Sequence, residues 1–122
     1  MRFLFLFFGG ISVMAGKTAL ERDFQSKLIA EIEARLPGAI VAKIDPLQGI
    51  PDLLILYNDR WALLECKRHA KANRQPNQEY YVDLLDRMSF SRFIFPENKS
   101  EVLDELQQAL QSKRPARVSR RK

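Results

Sequence analysis

A chain of 122 residues supports one domain with a modest core and excludes a multidomain enzyme. Its 46% apolar and 29% charged residues, with five glycines and six prolines, exclude fibrous and disordered classes, and one cysteine (Cys66) with one histidine (His69) excludes an internal disulfide and a zinc site. The formal charge of +5 suggests a polyanion partner, but its distribution decides how much of it belongs to the fold.

The first thirteen residues, MRFLFLFFGGISV, place one arginine before a short apolar run. That is the outline of a signal peptide, too short to span a bilayer. Two other readings compete: a packed or interfacial segment, and a start codon upstream of the true one, with Met14 beginning the protein. The last is favoured, so residues 1–13 are set aside from the fold, 14–112 form the domain, and secretion is not expected.

Thr18-Ala19-Leu20-Glu21 has the form of a capping box, opening a helix in which Leu20, Phe24, Leu28, Ile32 and Leu36 recur every four residues up to Pro37-Gly38. AIVAKI (39–44) reads as a strand, DPLQG as a loop, and GIPDLLILYNDRWALLECKR (49–68) as a hairpin of two more strands. Pro76 starts a second helix with Tyr81, Leu84, Leu85 and Met88 on its buried stripe. FSRFIF (90–95) is a fourth strand stopped by Pro96, and Ser100 caps a last helix carrying Leu103, Leu106 and Leu110. The order α-β-β-β-α-β-α predicts an α/β fold, a mixed sheet with helices on its faces. Residues 113–122 form a basic tail with six Lys/Arg and no acid; without them 14 basic residues face 15 acids, so the body is formally −1. The tail reads either as a polyanion tether or as an aid to solubility.

The hairpin turn lies within Tyr57-Asn58-Asp59-Arg60, and a two- or four-residue loop gives one register, in which paired residue numbers sum to 117. Asp52 then sits opposite Glu65, and Lys67 points to the same face. The other residues of both faces are mostly apolar, which marks two central strands. Like charges placed opposite each other destabilise a strand pair by up to about 1 kcal/mol, so something positive is expected between them. A cation of the Mg²⁺ type suits two carboxylates at the open end of a sheet. The alternative is an ion pair of Lys67 with both acids on a solvated edge.

Pro51-Asp52 followed on the next strand by Glu65-Cys66-Lys67, within this element order, resembles the PD-(D/E)XK nuclease superfamily, over residues 18–96. Within it, "GIPDLLI", "ECKR", Glu21 on the first helix and Gln78 after Pro76 are similar to the virus-type replication-repair nuclease (VRR-NUC) group and to Holliday-junction resolvases. The resemblance implies a restriction-endonuclease-like αβββαβ core. It also implies that Asp52, Glu65 and the carbonyl of Cys66 hold Mg²⁺ or Mn²⁺, that Lys67 orients or helps activate the attacking water, and that Glu21 contacts the metal through water. The side chain of Cys66 is expected in the core.

The set suits phosphodiester hydrolysis, with Lys67 stabilising charge that grows in the transition state and no covalent nucleophile required. Lys67, Arg68, Lys71 and Arg74 form a basic cluster with no acid among residues 66–78, so Arg68, Lys71 and Arg74 are candidates for substrate binding. Gln78 is another, as a donor to substrate or metal-bound water, or else a lining of its helix's first turn. Lys43 faces either the cleft or solvent. Glu21 fits a helix cap as well as a catalytic role, and Gly49 permits either a tight turn before Pro51 or a close approach of DNA. Tyr80 and Tyr81 offer a base-stacking surface, although core packing suits Tyr81 better. His69 is expected to face solvent or phosphate.

The expected function is that of a metal-dependent DNA endonuclease acting on branched DNA or on recombination and replication intermediates. It would work as a homodimer, because cutting a junction needs two sites related by symmetry. No small-molecule cofactor or membrane is expected, and the location is the cytoplasm of a bacterial or phage-infected cell. The alternatives are a catalytically inactive DNA-binding protein of the same fold, and a secreted protein defined by its leader.

Overall fold

The computed structural model describes residues 18–44 and 48–112. The leader, the basic tail and residues 45–47 of the DPLQG loop lie outside them, so the readings made of those segments are not addressed by the fold. The element order is the expected one: α1 (Ala19–Arg35), β1 (Ile40–Lys43), β2 (Leu53–Tyr57), β3 (Arg60–Cys66), α2 (Gln78–Met88), β4 (Ser91–Ile94) and α3 (Lys99–Gln111), with a 3₁₀ turn at Pro96–Asn98 before α3. The four strands form a mixed sheet in the order β1-β2-β3-β4, the first two pairings antiparallel and the third parallel. A parallel neighbour requires a crossover, and α2 supplies it.

The hairpin has the expected register: Leu53 pairs with Leu64 and Tyr57 with Arg60, so paired numbers sum to 117. Asn58 adopts a left-handed conformation in the two-residue turn, which suits the twist of a tight hairpin. Because side chains alternate, Leu53, Ile55, Ala62, Leu64 and Cys66 share one face, and all are fully buried. They pack with Leu28 and Ile32 of α1, with Leu36 at its C-cap, and with Val102, Leu103, Leu106 and Leu110 of α3 as the main core. The other face carries Leu54, Leu56, Trp61, Leu63 and Glu65. There α2 lies against β3 and β4, while Leu56 and its partner Ile40 on the edge strand stay exposed.

Three expectations about helices are corrected. The expected stripe of α1 holds at Leu28, Ile32 and Leu36, which are buried, with Phe24 half-buried against the core, but fails at its start: Leu20 is 70% exposed, and there Glu21 and Gln25 take the buried positions. A four-residue step advances by about 40° beyond a full turn, so a series spaced by four drifts round the helix, and Leu20, at its far end, falls off the face that Glu21, Gln25, Leu28 and Ile32 hold by steps of four, three and four. On α2, Met88 is 65% exposed at the last turn and Val82 is the buried apolar residue. On α3, Ser100 lies inside the helix, because Pro96 opens a 3₁₀ turn that runs into it; Asn98 is the N-cap. Its side chain looks back to the preceding strand, accepting from the N–H of Phe95 at 2.9 Å and donating to the carbonyl of Phe93 at 3.1 Å.

No helix among the described residues is long and apolar enough to cross a membrane.

Candidate active site

The site lies where β2 and β3 part. Beyond the Leu53–Leu64 pair, Asp52 stands opposite Glu65 by continuation of the register. The ladder there is carried on by a side chain, since the backbone N–H of Cys66 donates to Asp52 Oδ1 at 3.4 Å. The other oxygen, Oδ2, accepts from the amide of Gln25 at 3.2 Å.

Glu65 is 3% exposed and Lys67 6% exposed. Their charged atoms, Glu65 Oε2 and Lys67 Nζ, are 3.8 Å apart. This pair is buried, not a solvated edge bridge, and burial of charge is tolerated only where partners complete the hydrogen bonding. Gln78 Nε2 donates to Glu65 Oε2 at 3.0 Å, and Lys67 Nζ donates to the carbonyl of Asn73 at 3.0 Å. The segment after β3 thus folds back over its own end.

Gln78 is held by the same segment, its Oε1 accepting the N–H of Gln75 at 2.7 Å. It is buried against Glu65, so its place is beside the carboxylate. The start of α2 is fixed from the other side by Gly49. This glycine has φ +96°, and a Cβ on it would lie 2.8 Å from Cβ of Asn77, itself left-handed at φ 72°. Of the two explanations for Gly49, the turn with close packing against protein is the one observed. The helix itself starts at Gln78 and not at Pro76, with the left-handed Asn77 as N-cap.

Glu21 is both a cap and a brace. Its Oε1 accepts the N–H of Thr18 at 3.2 Å while the Thr18 hydroxyl accepts the N–H of Glu21 at 3.1 Å, which completes the capping box. Its Oε2 accepts the N–H of Arg68 at 3.2 Å, tying α1 to the chain just after Lys67.

The remaining sequence candidates separate into near and far. The side chains of Arg68 and Lys71 are exposed and, among the described residues, form no ion pair. Arg74 is engaged by Glu79 at 2.9 Å and stacks over the ring of Phe93 at 3.8 Å, so it is less available to a phosphate than its neighbours. Lys43 pairs with Leu53 and therefore points to the face opposite Glu65, where it is exposed; strand alternation keeps it out of the cleft. Tyr80 is exposed at the first turn of α2, edge-on to the half-buried Tyr81 at 5.0 Å. His69 is exposed and accepts the N–H of Lys71 through Nδ1. The thiol of Cys66 is buried in the core, as expected.

Gln25 is the residue that the sequence reading missed. A signal was present: it lies one turn after Glu21 and before Leu28 and Ile32, on the face that the helix buries.

The donor set bears on the metal. Among the described residues no group of three or more His, Cys, Asp or Glu side chains is arranged as a metal centre. The implied set has two carboxylates and the main-chain carbonyl of Cys66, all oxygen donors, which suits a hard cation that keeps several waters. Asp52 receives neutral donors from the amide of Gln25 and the N–H of Cys66, and Glu65 receives the amide of Gln78 and lies 3.8 Å from the Lys67 ammonium, so two carboxylates stand beside one cationic side chain and the group is formally negative, as a cation needs. The residues fit Mg²⁺ or Mn²⁺.

No protein-family model, curated protein or solved structure matches the chain.

Proposed function

We propose that the chain is a metal-dependent DNA endonuclease of the PD-(D/E)XK type, with a restriction-endonuclease-like core. Branched DNA or a recombination or replication intermediate is the substrate, as the resemblance to VRR-NUC and Holliday-junction resolvases implies. The observation that carries this reading is the pairing of Asp52 with Glu65 at the parted ends of β2 and β3, with the Lys67 ammonium 3.8 Å from Glu65.

Asp52, Glu65 and the carbonyl of Cys66 would hold the cation, which when bound polarises a non-bridging phosphate oxygen and lowers the pKa of its water. The protein's part is orientation and charge. Gln25 and Gln78 fix the two carboxylates without neutralising them. Lys67, held by Asn73 and Glu65, keeps a positive charge where negative charge grows on the phosphate, in a site that largely excludes water. Arg68 and Lys71, exposed on the segment leaving β3, are placed to meet the DNA backbone, and such contacts position a duplex without reading its sequence. Glu21 holds that segment through the N–H of Arg68. A homodimer related by a two-fold axis would supply the second site for cutting paired strands.

The test is incubation of the full chain with Mg²⁺ and a panel of four-way, flapped, single-stranded and duplex DNAs. Cleavage that is strongest on a branched substrate is expected. Tight binding of the panel without cleavage in Mg²⁺ or Mn²⁺ would give the answer to the inactive DNA-binding alternative.

A further inference from the structure

Resting on that reading, we infer that Gln25 is a positioning residue that holds Asp52 in the orientation needed for the cation and so sets the cation affinity of the site. Gln25 is 4% exposed and lies on the core-facing stripe of α1 between Glu21 and Leu28. A buried amide at such a position is unfavourable unless it is bonded, and its bond is made to a residue 27 positions away, at the end of β2. Its Nε2 donates to Asp52 Oδ2 while the N–H of Cys66 donates to Oδ1, so two donors on two oxygens fix the plane of the carboxylate.

The chemistry of the donor matters as much as its place. A lysine or arginine there would orient Asp52 but cancel the charge that attracts a cation; an apolar residue would remove the donor on Oδ2 and leave Oδ1 with the N–H of Cys66. A neutral amide orients without neutralising. One turn earlier, Glu21 takes the N–H of Arg68, so the first two turns of α1 form a polar brace across the ends of β2 and β3. Groups that orient a metal-binding carboxylate change metal affinity by about 10–100-fold when removed.

The experiment titrates Mn²⁺ into the DNA-free full chain, reading free Mn²⁺ by electron paramagnetic resonance, with thermal unfolding in EDTA alongside. The proteins are the wild type, Gln25→Met, Gln25→Glu and Asp52→Asn. Methionine matches glutamine in length and removes the amide. Gln25→Met is expected to weaken Mn²⁺ binding by about 10–100-fold while unfolding in EDTA within a few degrees of the wild type, and to raise the Mg²⁺ midpoint of cleavage by the same factor. Gln25→Glu sets a carboxylate against Asp52 and is expected to unfold earlier in EDTA and to recover when Mn²⁺ is added. If Gln25→Met does not fold, that recovery decides the matter alone. Unchanged affinity and no metal-dependent recovery in the Gln25 variants, with binding lost in Asp52→Asn, would overturn the inference and leave the proposed function standing. A wild type that binds no Mn²⁺ would overturn both.

Discussion

Gln78 donates its side-chain amide to Glu65 Oε2 at 3.0 Å, both side chains being buried, so a helix that begins after a long loop is joined directly to a central strand. Hydrogen bonds to charged groups are worth about 1.5–3 kcal/mol. Gln78→Leu is expected to lose stability of that order, measured by urea denaturation in EDTA. Gln78→Glu is expected to lose more in EDTA, because it adds a carboxylate beside Glu65, and to regain part of it in Mg²⁺.

Gly49 and Asn77 test whether the loop before Pro51 positions that helix. Gly49→Ala must accept a positive φ and displace Asn77, at a cost of about 1–3 kcal/mol. Cleavage is expected to fall along with stability, because Asn77 precedes Gln78. A variant with normal stability and normal rate would show that the close approach is not what sets Gln78.

The hairpin and its two carboxylates were legible because strand alternation has a period of two: once Asn58-Asp59 marks the turn, every pairing down to Asp52 and Glu65 follows. The helix stripes were less legible at their ends, since a series spaced by four drifts round the helix: Leu28, Ile32 and Leu36 hold the buried face and Leu20 leaves it. Gln25 escaped because a polar residue on a helix reads as solvated unless its neighbours on the same stripe are buried. Lys43 was left open between cleft and solvent; the pairing of β1 with β2, a contact between separate strands, is what places it on the far face.

Glu21 accepts two backbone N–H groups, from Thr18 and from Arg68. Glutamine offers one oxygen, so Glu21→Gln loses one of these bonds, about 1 kcal/mol, together with the charge. Thermal unfolding and the rate at saturating DNA separate the roles. A rate lowered roughly tenfold or more with a small shift in unfolding temperature is expected of a group that supports the site. An unchanged rate would leave Glu21 as cap and brace.

The basic tail, residues 113–122, is tested by its deletion. Each Lys or Arg engaged with phosphate contributes roughly 0.9 to the slope of log affinity against log salt on duplex DNA, so deletion is expected to flatten that slope by several units. The cut pattern is expected to persist, because the cleft is built by the hairpin and α2. An unchanged slope would show that the tail is not a DNA tether.

The central claim is that Asp52 and Glu65 form a cation-dependent hydrolytic site, and single-turnover cleavage of end-labelled branched DNA by the wild type, Asp52→Asn and Glu65→Gln tests it most directly. Asparagine at 52 can still accept from the N–H of Cys66, and Gln25 can turn its amide to present an oxygen, so the Asp52 variant is expected to fold with a loss of no more than about 1 kcal/mol. Glu65→Gln leaves the Lys67 ammonium buried beside a neutral group and is expected to be the less stable of the two. The account predicts cleavage by the wild type in Mg²⁺, none in EDTA, and none by either folded variant at any Mg²⁺ concentration. Wild-type cleavage rates in Asp52→Asn or Glu65→Gln, or undiminished cleavage in EDTA, would contradict it.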